Sequence, residues 1–297
     1  MRYIVPVSGK DSLATALVQL HFEPDLPYEY VFNPTGAELP EVFEWIDRVE
    51  IYLGKPIIQV GENLESIIED NNYFLPSRRA RYCTRQSKIE PFEKWIGKED
   101  AIVYYGIRAD EDRGGYVNNR YPNIVSDYPL KRYGYGINEV YQIIESVGLK
   151  PPTFFWKYLF DEVCKYFKGE ENLRKILTQW QIDMLFCWRT RANCYFCFNQ
   201  AKFEWCGLLE FHPELFWNAE KLEHSESDYY WCGKDYPLTK IVENKDKIIA
   251  NRIKKLIRII KQIRNAKIVQ TQLFDLATEQ GFNDYFKTTS CGLFCAK

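Results

Sequence analysis

The first hundred residues alternate between short apolar runs and stretches with helical spacing. Tyr3 to Val7 is apolar and ends at a glycine loop, as a buried strand does. From Asp11 to Leu20, Leu13, Ala16, Leu17 and Leu20 share one face of a helix. Tyr28 to Asn33 predicts a second strand, closed by a Pro-Thr-Gly turn. Glu41 to Leu53 predicts a helix with Val42, Trp45, Ile46, Val49 and Leu53 on its apolar side. Pro56 to Val60 follows as a strand, Ile89 to Trp95 as a helix, and Ala101 to Ile107 as a fourth strand. Such alternation predicts an α/β fold in three layers, a parallel sheet with right-handed crossovers. Ligands of these sheets sit beyond the carboxyl ends of the strands. The segments after strands one, two and four are therefore expected to share a crevice.

The second half changes character. Residues 153–190 are rich in Phe, Trp, Tyr and Leu and predict helices over Phe154 to Tyr166 and Leu173 to Phe186. Ile248 to Ile263 predicts an amphipathic helix with Ile249, Ile253, Leu256, Ile257, Ile260 and Ile263 as its apolar stripe. Lys247, Arg252, Lys254, Lys255, Arg258, Lys261 and Arg264 are expected on its other faces. Three segments result: a nucleotide-binding α/β domain over 1–152, a helical cysteine-bearing part over 153–239, and the basic helix with a tail over 240–297. The partly aromatic residues 268–297 are expected to return over the crevice.

Of the 297 residues, 46% are hydrophobic and 27% charged, which suits a chain with a sizeable core. The net charge of −2 is unevenly spread: residues 240–267 hold ten Lys or Arg against two acids, so this stretch is +8 and the remainder −10. The basic helix 247–264 fits nucleic-acid phosphates or a merely solvated face. No apolar stretch reaches eighteen residues, and the opening run is interrupted by Pro6, so neither a membrane span nor a leader is expected. A cytoplasmic location follows as an expectation, and there nine cysteines serve as metal ligands, reactive thiols or core residues rather than disulfides.

Ser8-Gly9-Lys10-Asp11-Ser12 joins the first strand to a helix N-terminus, where amides and helix dipole favour an anion. Gly9 is expected to let the backbone turn tightly and approach the ligand; Lys10 adds charge, and Ser8 and Ser12 add hydroxyls. A plain capped turn is the alternative. This loop resembles the SGGxDS fingerprint of the PP-loop adenine-nucleotide alpha hydrolases, with one glycine fewer. Further segments resemble the phosphoadenosine phosphosulfate (PAPS) reductase-like branch: Asn33-Pro34-Thr35-Gly36-Ala37-Glu38-Leu39-Pro40, Arg81-Tyr82-Cys83-Thr84 with Lys88-Ile89-Glu90-Pro91, Gly106-Ile107-Arg108-Ala109-Asp110-Glu111, and Ser126 to Leu130 leading to Gly148-Leu149-Lys150-Pro151-Pro152, with Tyr133 in place of a usual Trp.

The resemblance implies that Ser8, Gly9, Lys10, Asp11, Ser12, Asn33, Thr35, Gly36, Glu38 and Arg108 bind ATP or PAPS. Lys10, Asp11 and Arg108 are then the catalytic set, and a magnesium ion neutralises the phosphates. Arg108 suits phosphate by its forked guanidinium, or pairs with Asp110 or Glu111. Cys194 and Cys197 form a CxxC, a spacing that lets two thiolates share one metal centre. By resemblance, Cys83, Cys194, Cys197 and Cys206 hold a four-iron, four-sulfur (4Fe–4S) cluster; Cys291 or Cys295 is the other candidate fourth ligand, zinc the other metal, and unliganded core thiols the third reading. Cys164 and Cys187, in apolar surroundings, are expected in the core.

The whole pattern is similar to the ATP pyrophosphatase of DNA phosphorothioation, which implies adenylation of an acceptor, nucleic acid as partner and a cysteine desulfurase as sulfur source. Two alternatives stay open: a PAPS or APS reductase with Cys291 as nucleophile, and a nucleotide-binding subunit of a nucleic-acid complex without turnover.

Overall fold

The computed structural model describes residues 1–112, 114–115, 120–189, 191–223, 230–233 and 236–269, with side chains to residue 265. In chain order the elements are β1 (Arg2–Pro6), α1 (Lys10–Phe22), β2 (Tyr28–Phe32), α2 (Pro40–Leu53), β3 (Ile57–Gln59), α3 (Leu64–Asp70), α4 (Tyr82–Thr84), a π-helical turn (Arg85–Ile89), α5 (Glu90–Ile96), β4 (Ala101–Tyr104) and β5 (Ile124–Asp127). Then come α6 (Pro129–Arg132), α7 (Ile137–Ser146), α8 (Lys157–Tyr166), α9 (Glu170–Ile176), α10 (Gln179–Leu185), α11 (Lys202–Phe211), α12 (Pro213–Glu223), α13 (Thr239–Glu243) and α14 (Lys245–Val269).

The strands form one parallel sheet in the order β3-β2-β1-β4-β5. Successive strand residues point to opposite faces. Val5, Tyr30 and Tyr104 accordingly join the cluster that includes Leu13, Val42 and Val140 of α1, α2 and α7. Ile4, Val31 and Val103 join the opposite cluster with Phe92 and Ile96 of α5. Helices therefore cover both faces, and the order reverses between β1 and β4. That reversal opens the crevice in such sheets, so it fixes where a ligand is to be sought.

One expectation from the pattern is corrected and one strand is added. The helix expected over Leu173 to Phe186 is two helices, because Thr178 caps α10: its side chain accepts from Gln181 N, and Gln181 Oε1 accepts from Thr178 N. The fifth strand was not foreseen; β5 lies at the sheet edge, with only Ile124 buried, so it carries no continuous apolar run.

The helical part packs on the α/β part through one continuous core that takes in Val5, Trp188 and Ile263. Within the helical part, Gly207 of α11 lets the helix sit close against Trp188, since a Cβ there would stand 2.5 Å from the Trp188 ring. In α14, Ile249, Leu256, Ile259, Ile260 and Ile263 are buried, while Ile253 and Ile257 are half-buried. Lys247, Lys254, Lys255, Arg258, Lys261 and Arg264 are exposed as expected. Arg252 is not: its guanidinium donates to Leu185 O at 3.1 Å and lies 4.8 Å from the Phe203 ring centroid, inside the helix packing. Position 252 falls on the buried side of the helical wheel, which a count of basic residues does not reveal. No helix among the described residues is long and apolar enough to cross a membrane.

Candidate functional site

The loop after β1 is held by its own residues. Ser12 Oγ accepts from Ser8 N at 2.9 Å and Gly9 N at 3.0 Å, and donates to Gly9 O at 2.9 Å. These two amides are thus engaged within the loop, and the first-turn amides of α1 are left to meet an anion. Gly9 adopts φ 178°, an extended conformation open to any residue. The tight, glycine-requiring turn expected from the sequence is therefore not found at this position.

Lys10 and Asp11 open α1 almost fully buried, at 8% and 1% exposure. Lys10 Nζ lies 3.1 and 3.0 Å from the two Asp11 oxygens. Arg108, on the loop after β4, places Nη1 3.1 Å from Asp11 Oδ1 and Nε 2.9 Å from Asp110 Oδ1, with Glu111 at 3.4 Å. Burial alone would lower the Arg108 guanidinium, but the carboxylates of Asp11, Glu111 and Asp110 outweigh it and hold the pKa above its ordinary value. The two loops meet because Gly106 has no side chain: a Cβ would lie 2.7 Å from Asp11 C and Ser12 N. The fold thus gathers Lys10, Asp11 and Arg108 at the β1/β4 switch point. Asp11, engaged by both cations, is suited to orienting them rather than to binding magnesium.

On the other side of β1, the loop after β2 is also self-built. The Glu38 carboxylate accepts from Thr35 N at 2.9 and 3.1 Å and from Thr35 Oγ1 at 2.9 Å. Gly36 sits at φ +74°, where only glycine is at ease, and a Cβ would stand 2.7 Å from Asn63 Nδ2. Thr35, Gly36 and Glu38 therefore shape this loop. Asn33 Nδ2 donates to Val60 O at 2.6 Å, while its buried Oδ1 has no partner in the described protein.

The CxxC loop docks onto this second loop. Tyr195 N donates to Ala37 O at 2.6 Å, Thr35 Oγ1 lies 3.3 Å from Cys194 Sγ, and Tyr195 Oη meets Glu65. Cys83, Cys194 and Cys197 line one cavity of about 40 Å³, flanked by Arg81 and Lys88. Burial pushes the Cys83 thiol up and the Cys194 thiol to about 12, so without a metal both stay protonated near neutrality. Cys206 is elsewhere. It is fully buried in α11, with Lys245 and Cys232 as its electrostatic neighbours. It is not among the residues that line that cavity, and it lies on the buried side of α11. Among the described residues no preformed group of three metal-ligating side chains is close enough to hold an ion. Cys164 and Cys187 are buried, and Cys291 and Cys295 lie outside the described residues, as does the expected cover over the crevice from residue 270 onward.

Sequence reasoning missed Arg189. Its guanidinium, 1% exposed, donates to Arg191 O (2.9 Å), Gln200 Oε1 (2.7 Å), Cys194 O (2.7 Å) and Asn193 O, and so fixes the course of the CxxC loop. Its only trace in the sequence is an arginine within an apolar stretch. His212 Nε2 stands 3.0 Å from Glu41 Oε1.

Residues 2–129 match the family model of the phosphoadenosine phosphosulfate reductase domain. An uncharacterized protein of Methanocaldococcus jannaschii is 34% identical over 108 residues, covering 35% of this chain and 22% of that protein. A second uncharacterized protein of the same organism is 24% identical over 256 residues, covering 80% of this chain and 54% of that protein. The chain thus spans about half or less of these relatives. Among solved structures, the phosphoadenylyl-sulfate reductase of Candida auris, in a phosphate complex, aligns with a TM-score of 0.39 at 14% identity, over 50% of this chain and 73% of that one.

Proposed function

We propose, from the premise that residues 2–129 are a domain of the phosphoadenosine phosphosulfate reductase type, that this chain is an ATP pyrophosphatase that activates an acceptor for sulfur transfer. The observation that carries the reading is the convergence of Lys10, Asp11 and Arg108 at the β1/β4 switch point. In this reading the adenine nucleotide lies across the ends of β1, β2 and β4. Its phosphates meet the first-turn amides of α1, Lys10 Nζ and the Arg108 fork, and Asp11 keeps both cations aimed. Asn33 Oδ1 is available to a nucleoside donor. An acceptor oxygen attacks the α-phosphorus, the bond to the bridging oxygen of the β-phosphate breaks, and pyrophosphate leaves. The terminal sulfur of a persulfide, carried by a partner such as a cysteine desulfurase, then displaces AMP, which leaves with the acceptor oxygen, and a second thiol cleaves the remaining S–S bond to free the sulfur-bearing acceptor. Magnesium accompanying ATP offsets phosphate charge.

The cavity of Cys83, Cys194 and Cys197 supports a redox-active or sulfur-carrying metal centre. Three thiols flanked by Arg81 and Lys88 suit an anionic thiolate centre; a 4Fe–4S cluster would use all three, and zinc would as well. Each of Cys83→Ser, Cys194→Ser and Cys197→Ser is expected to lower bound iron at least severalfold in anaerobically purified protein. Cys206→Ser is expected to leave it unchanged. Equal iron loss in all four variants would return Cys206 to the site.

The acceptor is proposed to be nucleic acid. The exposed cations Lys247, Lys254, Arg258 and Lys261 fall on the face of α14 opposite its buried stripe, and no acid occurs from Lys247 to Val269. Reversing Lys254 and Arg258 to Glu is expected to weaken DNA binding about tenfold at moderate salt and to flatten its salt dependence. Identical salt slopes for wild type and variant would remove α14 from the interface.

The deciding experiment incubates the anaerobic protein with labelled ATP and with PAPS. Pyrophosphate and AMP from ATP support the proposal. Sulfite from PAPS, abolished by Cys291→Ser, supports a reductase, the reading the family match itself favours. Saturable nucleotide binding with neither product supports a subunit without turnover.

A further inference from the structure

A second cavity, of about 140 Å³, opens beside the loop after β1 and is lined by none of Cys83, Cys194 and Cys197. Ser8, Gly9 and Lys10 form part of its wall, so whatever occupies it lies next to the phosphates. The rest is contributed by α7, the Lys150–Phe154 segment, α10 and the stretch before the CxxC loop. Phe154, Trp180 and Met184 supply aromatic and apolar surface, with Trp180 edge-on to Tyr141 at 6.0 Å.

Size decides what fits. An apolar protein cavity of about 150 Å³ holds one benzene ring, so a single six-membered ring fills this one. Polar groups on the wall, Asp183 and Glu145 among them, suit a ring with donors on its edge rather than a hydrocarbon. The charge of the surround points to an attached anion. Lys150 is neutralised by Glu145 at 2.6 Å, but the Arg191 side chain has no ion pair among the described residues.

We infer that this cavity is a binding site for a pyrimidine nucleotide unit, its ring against Phe154 and Trp180 and its phosphate toward Arg191. The inference deepens the reading of Ser8–Ser12 as a nucleotide loop, since the ring would be the acceptor's contribution beside the bound ATP. A free pyrimidine nucleotide and a pyrimidine residue of a strand share this chemistry.

The test is calorimetry on the full chain, its loop filled by a non-hydrolysable ATP analogue. Uridine 5′-monophosphate is expected to bind saturably. Ala192→Phe, which fills the cavity, is expected to weaken that binding at least tenfold and leave the analogue's affinity within twofold. Arg191→Gln is expected to weaken the monophosphate more than uridine, and it decides the matter if Ala192→Phe does not fold. Oligothymidylate binding tighter than the mononucleotide, with the same sensitivity to the variants, identifies a strand as the source; no tighter binding identifies the free nucleotide. Absence of saturable binding by either probe, or indifference to both variants, overturns the proposal while analogue binding leaves the loop reading intact. Should the analogue itself fail to bind, the loop reading falls, and the cavity still stands or falls by the response of uridine 5′-monophosphate to the variants.

Discussion

Arg108→Ala is expected to destabilise the fold by about 3–5 kcal/mol and to weaken nucleotide binding by about 10–100-fold. The stability loss comes from Asp11. This carboxylate is 1% exposed and shares its charge between Lys10 and Arg108. Removing one partner of a buried pair leaves a charge that water cannot reach, at a cost of about 3–5 kcal/mol. Asp110 and Glu111 add to it, since both lie within 3.4 Å of the guanidinium and would face Asp11 without a cation between them. The binding loss is the charge-assisted hydrogen bonding to phosphate, worth about 1.5–3 kcal/mol. Arg108→Lys separates the two effects. A lysine keeps the charge beside Asp11 but not the fork, so most of the stability is expected to return while the affinity stays low. Thermal unfolding and ATP titration of the two variants check this. An alanine variant as stable as wild type would show that Lys10 alone satisfies Asp11, and normal ATP affinity would remove Arg108 from the phosphate site.

Gly106→Ala is expected to act on the same site without touching a charge. A Cβ at this position would lie 2.7 Å from Asp11 C, 2.7 Å from Ser12 N and 2.8 Å from Asp11 O. All three are backbone atoms at the start of α1, so neither loop can give way by a side-chain rotation. Overpacking of this kind costs about 1–3 kcal/mol. The larger effect falls on turnover, because the shift separates Arg108 from Lys10 and Asp11. A displacement of about 1 Å in a catalytic group costs about a hundredfold in rate. Gly114→Ala is the control: nothing lies within 4 Å of its Cβ, and its expected effect is below about 0.5 kcal/mol. A melting temperature and turnover for Gly106→Ala equal to those of Gly114→Ala would disprove the close approach of the loops.

Other contacts link the two ends of the crevice. Thr35 touches both Glu38 and Cys194, and Arg189 holds the carbonyls of Asn193 and Cys194 while its side chain also borders the second cavity. The cysteine loop is therefore tied to the loop after β2. In the proposed function, this shared framework keeps a sulfur-handling centre at a fixed distance from the activated acceptor.

The sequence by itself determined the elements whose signals are local. Four strands and the helices α1, α2 and α5 follow from side-chain periodicity, and so does the place of Ser8–Ser12 between an apolar run and a helix start, whereas α3 went unread. Even the break before α10 was written in Thr178 and Gln181, a local cap hidden by the apolar pattern around it. Tertiary structure alone decided which distant residues meet. Strand order places Arg108, 97 residues from Asp11, on the same carboxylate. The packing of α11 buries Cys206 outside the cavity that Cys83, Cys194 and Cys197 line, and the wheel position of Arg252 takes one cation from the basic face. Periodicity reports which way a side chain points relative to its own element. It carries no information on where that element is packed, and the chemistry at this crevice depends on contacts between elements.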